Sequence, residues 1–112
     1  MDELKFLGDT DRRHLVRLGF SETVAGLELP VFRRLLARAA RTVDATLQPP
    51  QWGFLQPHVM DYAWWGYVDG DLVYDSDSEI AALRGMLLHL VDKGRISVER
   101  VNAIAEGVLR EQ

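Results

Sequence analysis

Asp69-Gly70 stands between two short runs of strand-forming residues, and that pair restricts the local fold more than any other feature of the chain. A two-residue hairpin loop of type I′ needs positive φ at both positions, which Asp-Gly accepts at low cost. Upstream lie Val59, Tyr62, Trp64, Trp65, Tyr67 and Val68; downstream, Leu72-Val73-Tyr74 returns. The pattern predicts a two-stranded antiparallel hairpin over about 59–75, with Tyr67 facing Leu72 and Trp65 facing Tyr74. Side chains alternate along a strand. Trp65, Tyr67, Leu72 and Tyr74 are therefore expected on the face laid against the rest of the protein, and Trp64, Gly66 and Val73 on the other. One face must be covered, because a lone two-stranded hairpin is marginal in water.

The remaining pattern is helical. Asp9 and Thr10 are N-cap types before a segment ending near Leu18, with Gly19 placed to close it; Ser21 caps a short turn to Gly26. Pro30 suits a first helical turn, and Val31 to Leu47 contains no further Pro or Gly. Phe32, Leu36, Ala39, Val43 and Leu47 line one face of this predicted helix (about 31–47), and Pro49-Pro50 is expected to stop it. Gln51 to His58 reads as an irregular connection. Ser76-Asp77-Ser78-Glu79 fits a capping box before a helix carrying Ile80, Leu83, Leu87 and Leu90. Gly94 ends that helix, and Ser97 caps a last one with Val98, Val101, Ile104, Ala105 and Val108 in its stripe. So short a turn predicts a C-terminal αα-hairpin over about 77–111. The expected fold class is α+β: a mainly helical single domain spanning 1–112.

Composition supports a packed core. Of 112 residues, 47% are hydrophobic and 27% charged, ordinary values for a globular chain. The absence of cysteine excludes disulfides, thiolate metal sites and cysteine nucleophiles, and with it comes the expectation of a reducing compartment. No apolar run of signal-peptide or membrane-spanning length occurs, so a cytoplasmic protein without membrane contact is expected. Charge is polarised. Residues 1–58 carry eight basic and seven acidic side chains, residues 59–112 five and ten, against a net charge of −4. The acidic second half suits a basic protein partner.

Motifs for chemistry are lacking. Asp69, Asp71, Asp75, Asp77 and Glu79 resemble a calcium loop only in charge: counted from Asp71 or Asp75, the required glycine and glutamate are missing. The residues divide instead between a turn and a helix start. His14, His58 and His89 show no metal-ligand spacing, and no nucleophile elbow or phosphate-binding glycine loop is present. No catalytic residue, cofactor or metal is therefore assigned, and a non-enzymatic role is expected.

Two surfaces remain. Arg34, Arg38 and Arg41 form a candidate anion or nucleic-acid face, since guanidinium forks suit phosphates. The order of short helices, this helix and then a hairpin resembles a winged-helix arrangement. That likeness implies the alternative of a DNA-binding transcriptional regulator using the helix at about 31–47. An acidic hairpin tip, with Asp69 and Asp71, suits phosphate contact poorly. The second surface is aromatic: seven of the ten aromatic residues fall between Trp52 and Tyr74. Trp64, Trp52, Asp69 and Asp71 are the candidate partner-binding residues of an adaptor or inhibitor that works by protein–protein contact. Met86 and Leu88 lie outside the main apolar stripe of their helix, so burial on several sides is expected: against the hairpin, the last helix or a second subunit, the last giving a homodimer through the C-terminal helices.

Overall fold

A computed structural model describes residues 4–56 and 59–111, the side chains of 54–61 excepted. Three helices come first: α1 (Asp9–Arg17), α2 (Glu22–Ala25) and α3 (Leu29–Ala39). Strands β1 (Ala45–Gln56), β2 (Val59–Val68) and β3 (Asp71–Ser76) follow, then α4 (Glu79–Asp92) and α5 (Val98–Arg110). The strands form one antiparallel sheet in the order β1-β2-β3. The α+β class anticipated from the sequence holds, but the sheet has three strands rather than two. Asp69 and Gly70 both have positive φ, 52° and 86°, as the type I′ turn between β2 and β3 requires.

The additional strand is drawn from the segment read as a helix end and an irregular connection. Ala39, Val43 and Leu47 recur at steps of four, as a helix face does. Val43, Ala45 and Leu47 also recur at steps of two, and all three pack half-buried against the core. The extended reading wins, helped by β-branched Thr42, Val43 and Thr46. The third helix therefore ends at Ala39 rather than Leu47. Pro49-Pro50 lies inside β1. Gln48 pairs with Trp65 and Gln51 with Ala63, so the two prolines form a bulge opposite Trp64 alone. Gln51 to Gln56 are strand, while Pro57 and His58 lie outside the described residues.

Helix ends follow local chemistry closely. Gly19 (φ 102°) and Gly94 (φ 70°) close α1 and α4 by the same motif. Gly19 N–H donates to the Val16 carbonyl and Phe20 N–H to Leu15; Gly94 and Arg95 repeat this on Val91 and Leu90. Ser21 and Ser97 accept from Val24 and Arg100 N–H, capping α2 and α5. The box at Ser76 is not used as predicted. Ser78 is the cap, accepting from Ala81 N–H at 3.3 Å, and Ser76 accepts from Ser78 N–H. Glu79 is then the first residue of α4, and its carboxylate takes both prongs of the Arg33 guanidinium, at 2.6 and 2.7 Å. Glu79 is 7% exposed, and a nearly buried carboxylate gains more from a guanidinium fork than from one backbone N–H. That pair ties α3 to the start of α4.

α4 packs against β2 and β3 on one side and α3 on another, while α3 also meets α5. Buried Leu15, Phe32, Leu35, Leu87, Leu90, Val101 and Val108 belong to one continuous core. Met86, outside the main apolar stripe of α4, is 1% exposed because the sheet covers it. Glycines admit the sheet this closely. A Cβ at Gly85 of α4 would lie 2.1 Å from the Tyr74 ring, and one at Gly66 of β2 would lie 2.7 Å from the Met86 side chain.

The sheet turns to the helices the face opposite to the one expected. Gly66 and Val68 look inward, with Ala45 and Leu47 beside them on β1. Tyr74 joins them because the β2–β3 register slips: Gly66 pairs with Tyr74 and Tyr67 with Leu72, so Val73 is an extra residue in β3. Leu72 is left 40% exposed on the outer face. Bulk alone misdirects the reading, since the large side chains that fill this interface, Met86 and Tyr74, meet glycines. Among the described residues no helix is long and apolar enough to cross a membrane.

Candidate functional site: an aromatic pair on a projecting ribbon

β1 and β2 pair from Ala45 opposite Val68 out to Gln56 opposite Val59, whereas β3 accompanies β2 only from Trp64 to Val68. The outer part of the pair is therefore a two-stranded ribbon. Five residues of β2, Val59 to Ala63, have no third strand beside them, an overhang of roughly 17 Å at strand rise. Trp52 and Tyr62 face each other across this ribbon, with ring centroids 5.2 Å apart and planes inclined by 43°. They are 65% and 51% exposed. Tilted cross-strand aromatics at this distance stabilise each other by about 0.5–1.5 kcal/mol, so the pair is held ready rather than loose.

Alternation along β2 puts Tyr62, Trp64, Gly66 and Val68 on one face. Near the body of the protein that face carries the core contacts of Gly66 and Val68. Trp64 is half-buried at its margin, opposite the proline bulge. Beyond it the same face continues into solvent as Tyr62 with Trp52. The surface that packs on α4 runs past the helical layer and carries two exposed aromatic rings.

The outer face behaves differently. Trp65 is 4% exposed although it lies outside the continuous helical core. Its ring crosses β1 at Gly53, where a Cβ would approach within 2.8 Å, and its indole N–H donates to the Gln51 carbonyl at 2.9 Å. The ribbon root is thus stiffened by its own tryptophan.

The sequence-derived site residues do not assemble into one patch. Trp52 lies on the ribbon and Trp64 at its base, but the Asp69-Gly70 turn is at the opposite end of β2. Seven residues separate Tyr62 from Asp69, roughly 23 Å along the strand. Asp69 is engaged within the chain: its carboxylate accepts from Asp44 N–H at 3.2 Å and from Arg95 at 3.1 Å. Asp71 is exposed at the start of β3. Tyr62, the partner of Trp52, was not singled out by sequence; its signal was the two-residue alternation through Trp64, once β1 is known to be a strand.

Of the arginine stripe, Arg34 is exposed on α3, Arg38 is ion-paired with Glu111, and Arg41 lies just past the helix end. The Arg38 hydrogen bond holds the Glu111 carboxyl below the usual carboxylate range, with the Arg34 charge adding to the effect. α3 itself is docked on α4 and α5. His14 is exposed, with its Nδ1 3.3 Å from an Arg84 nitrogen, and lines a shallow groove with His89, Leu18 and Leu88. His58 lies outside the described residues. Among the described residues, no three histidine or carboxylate side chains converge as a metal-ligand set.

Comparison with protein-family models, curated proteins and solved structures gave no match, so the reading of function rests on this geometry.

Proposed function

We propose that the protein is a small binding module, an adaptor or inhibitor, that engages a protein partner through the projecting β1–β2 ribbon. The observation that carries this reading is the Trp52–Tyr62 pair, exposed where the core-facing surface of the sheet continues beyond the helices. Large aromatic rings stay in water at a cost, and paired rings on a stiff support are typical anchors of protein interfaces. The buried Trp65 supplies the stiffness, so little order remains to be imposed on the ribbon when a partner arrives. Exposed Asp77, just past the end of β3 that pairs with Trp64, adds an acidic group near the ribbon root that favours a partner with basic residues at its rim.

Affinity capture from the source cell, run in parallel with the wild-type chain and Trp52→Ala/Tyr62→Ala, tests the proposal. A partner retained by the wild type is expected to be lost from the double variant while circular dichroism and melting stay unchanged. Equal retention by both would remove the ribbon from the interface.

A further inference from the structure

The cleft between the C-terminal end of α3 and α5 gathers four arginines from three parts of the chain. Arg38 and Arg41 come from the end of α3 and the residues after it, Arg95 from the α4–α5 connection, and Arg100 from the first turn of α5. The cleft has a volume of about 650 Å³, within the usual range for small-molecule sites. Two of the four are already engaged, Arg38 with Glu111 and Arg95 with Asp69. Arg41 and Arg100 have no acidic partner among the described residues. Counting Glu111, the cleft lining carries three net positive charges in a chain whose total is −4.

Folding accounts for part of this arrangement only. Cations near the ends of α3 and α4 complement the negative ends of those helices, which explains Arg38, Arg41 and Arg95. Arg100 is the exception. It occupies the third position of α5, at the positive end of the helix dipole, unpaired and beside three like charges. Both effects work against the fold, and a bound anion would reverse both. The floor of the cleft is small and unobstructed: a Cβ added at Gly107 meets nothing within 4 Å.

We infer that this cleft is a binding site for a small polyanion carrying two or more phosphate groups, with Arg41 and Arg100 as its principal ligands. Arg95 and Arg38 complete the ring, and Glu111 competes with the ligand for Arg38. Guanidinium forks match phosphate oxygens in pairs, and a concave site between two helices suits a compact anion better than a rod-like duplex. The site is separate from the aromatic ribbon, so Trp52→Ala/Tyr62→Ala should leave it intact.

Calorimetric titration of the full chain with inorganic tripolyphosphate at low salt provides the test. One-to-one binding is expected, weakened by added salt and reduced more than about tenfold in Arg41→Ala/Arg100→Ala, since two charge-assisted contacts are removed. Neither residue has a partner to lose and Arg100 opposes the fold, so the variant should melt no lower than the wild type does. Glu111→Gln should bind more tightly. Arg13→Ala/Arg17→Ala, which removes two exposed arginines of α1, should bind unchanged. Adenosine triphosphate in place of tripolyphosphate separates the sources: tighter binding points to a nucleoside polyphosphate, equal binding to an inorganic one, and both agree with the site. Absence of binding at millimolar tripolyphosphate would overturn the inference, as would equal losses in the two arginine pairs. A duplex oligonucleotide that binds more tightly than tripolyphosphate through the same arginines would replace it with a nucleic-acid contact.

Discussion

Trp52 and Trp65 sit on neighbouring strands of one sheet, and they meet opposite fates. Trp65 is 4% exposed and Trp52 65%. The difference comes from what each ring finds across the strand. Trp65 lies over Gly53, which leaves the ring room against the backbone, and a carbonyl two residues before that glycine accepts its N–H. Trp52 faces Tyr62, so neither ring can lie flat, and no helix reaches far enough to cover them. Residue type decides neither case. The partner position does, and glycine is the residue that turns an aromatic side chain into structure.

The contrast breaks most visibly by truncation. Trp65→Ala should cost about 3–5 kcal/mol in urea denaturation, whereas Trp52→Ala should cost no more than about 1.5 kcal/mol, the upper value of its ring pair. Comparable losses would mean that the exposed pair is structural after all. Next in size is Gly85→Ala. Alanine normally stabilises a helix interior, but here its methyl group meets the Tyr74 ring, and a net loss of about 1–3 kcal/mol is expected. Tyr74→Ala should rescue part of that loss in a double-mutant cycle; strict additivity would show that the two do not touch. Gly107→Ala, also within a helix but facing open space, should instead stabilise by up to about 1 kcal/mol, read as a raised midpoint.

The smallest effect concerns Glu111. Its folded-state pKa is lowered, first by the Arg38 hydrogen bond, so the contribution of the pair is present above the ordinary carboxylate range and fades as pH falls through the lowered value. An NMR titration should place the Glu111 midpoint below that of a free glutamate in the wild type and return it to the ordinary range in Arg38→Ala. Both groups are exposed, so melting temperature should scarcely respond.

Much of the local structure was legible in the sequence, where neighbouring residues decide it. The Asp69-Gly70 turn, the glycines closing α1 and α4, and the serine caps of α2 and α5 depend on groups a few positions apart. Ambiguity entered where two periods fit the same letters, as they do through Ala39, Val43 and Leu47. Contacts across the fold were out of reach. Glu79 abandons its capping box for Arg33, 46 positions away, and no periodicity in either segment announces it. The arginine cleft was half visible, through Arg38 and Arg41; Arg95 and Arg100 join only when α5 folds back along α3. The sheet face was misassigned because glycines, which look like interruptions in a strand or helix, are here the points of closest approach.

The proline bulge has a consequence for how copies of this protein behave toward each other. β1 is an edge strand, and a long edge with free N–H and C=O groups is a template for strand-by-strand association. Pro49 and Pro50 carry no N–H to donate, and the bulge they form interrupts the register in the middle of that edge strand. What is left is two shorter stretches, 45–48 and 51–56, a poorer template than one unbroken edge. The bulge thus weakens the β1 edge as a template for self-pairing while leaving Trp52 exposed on the ribbon.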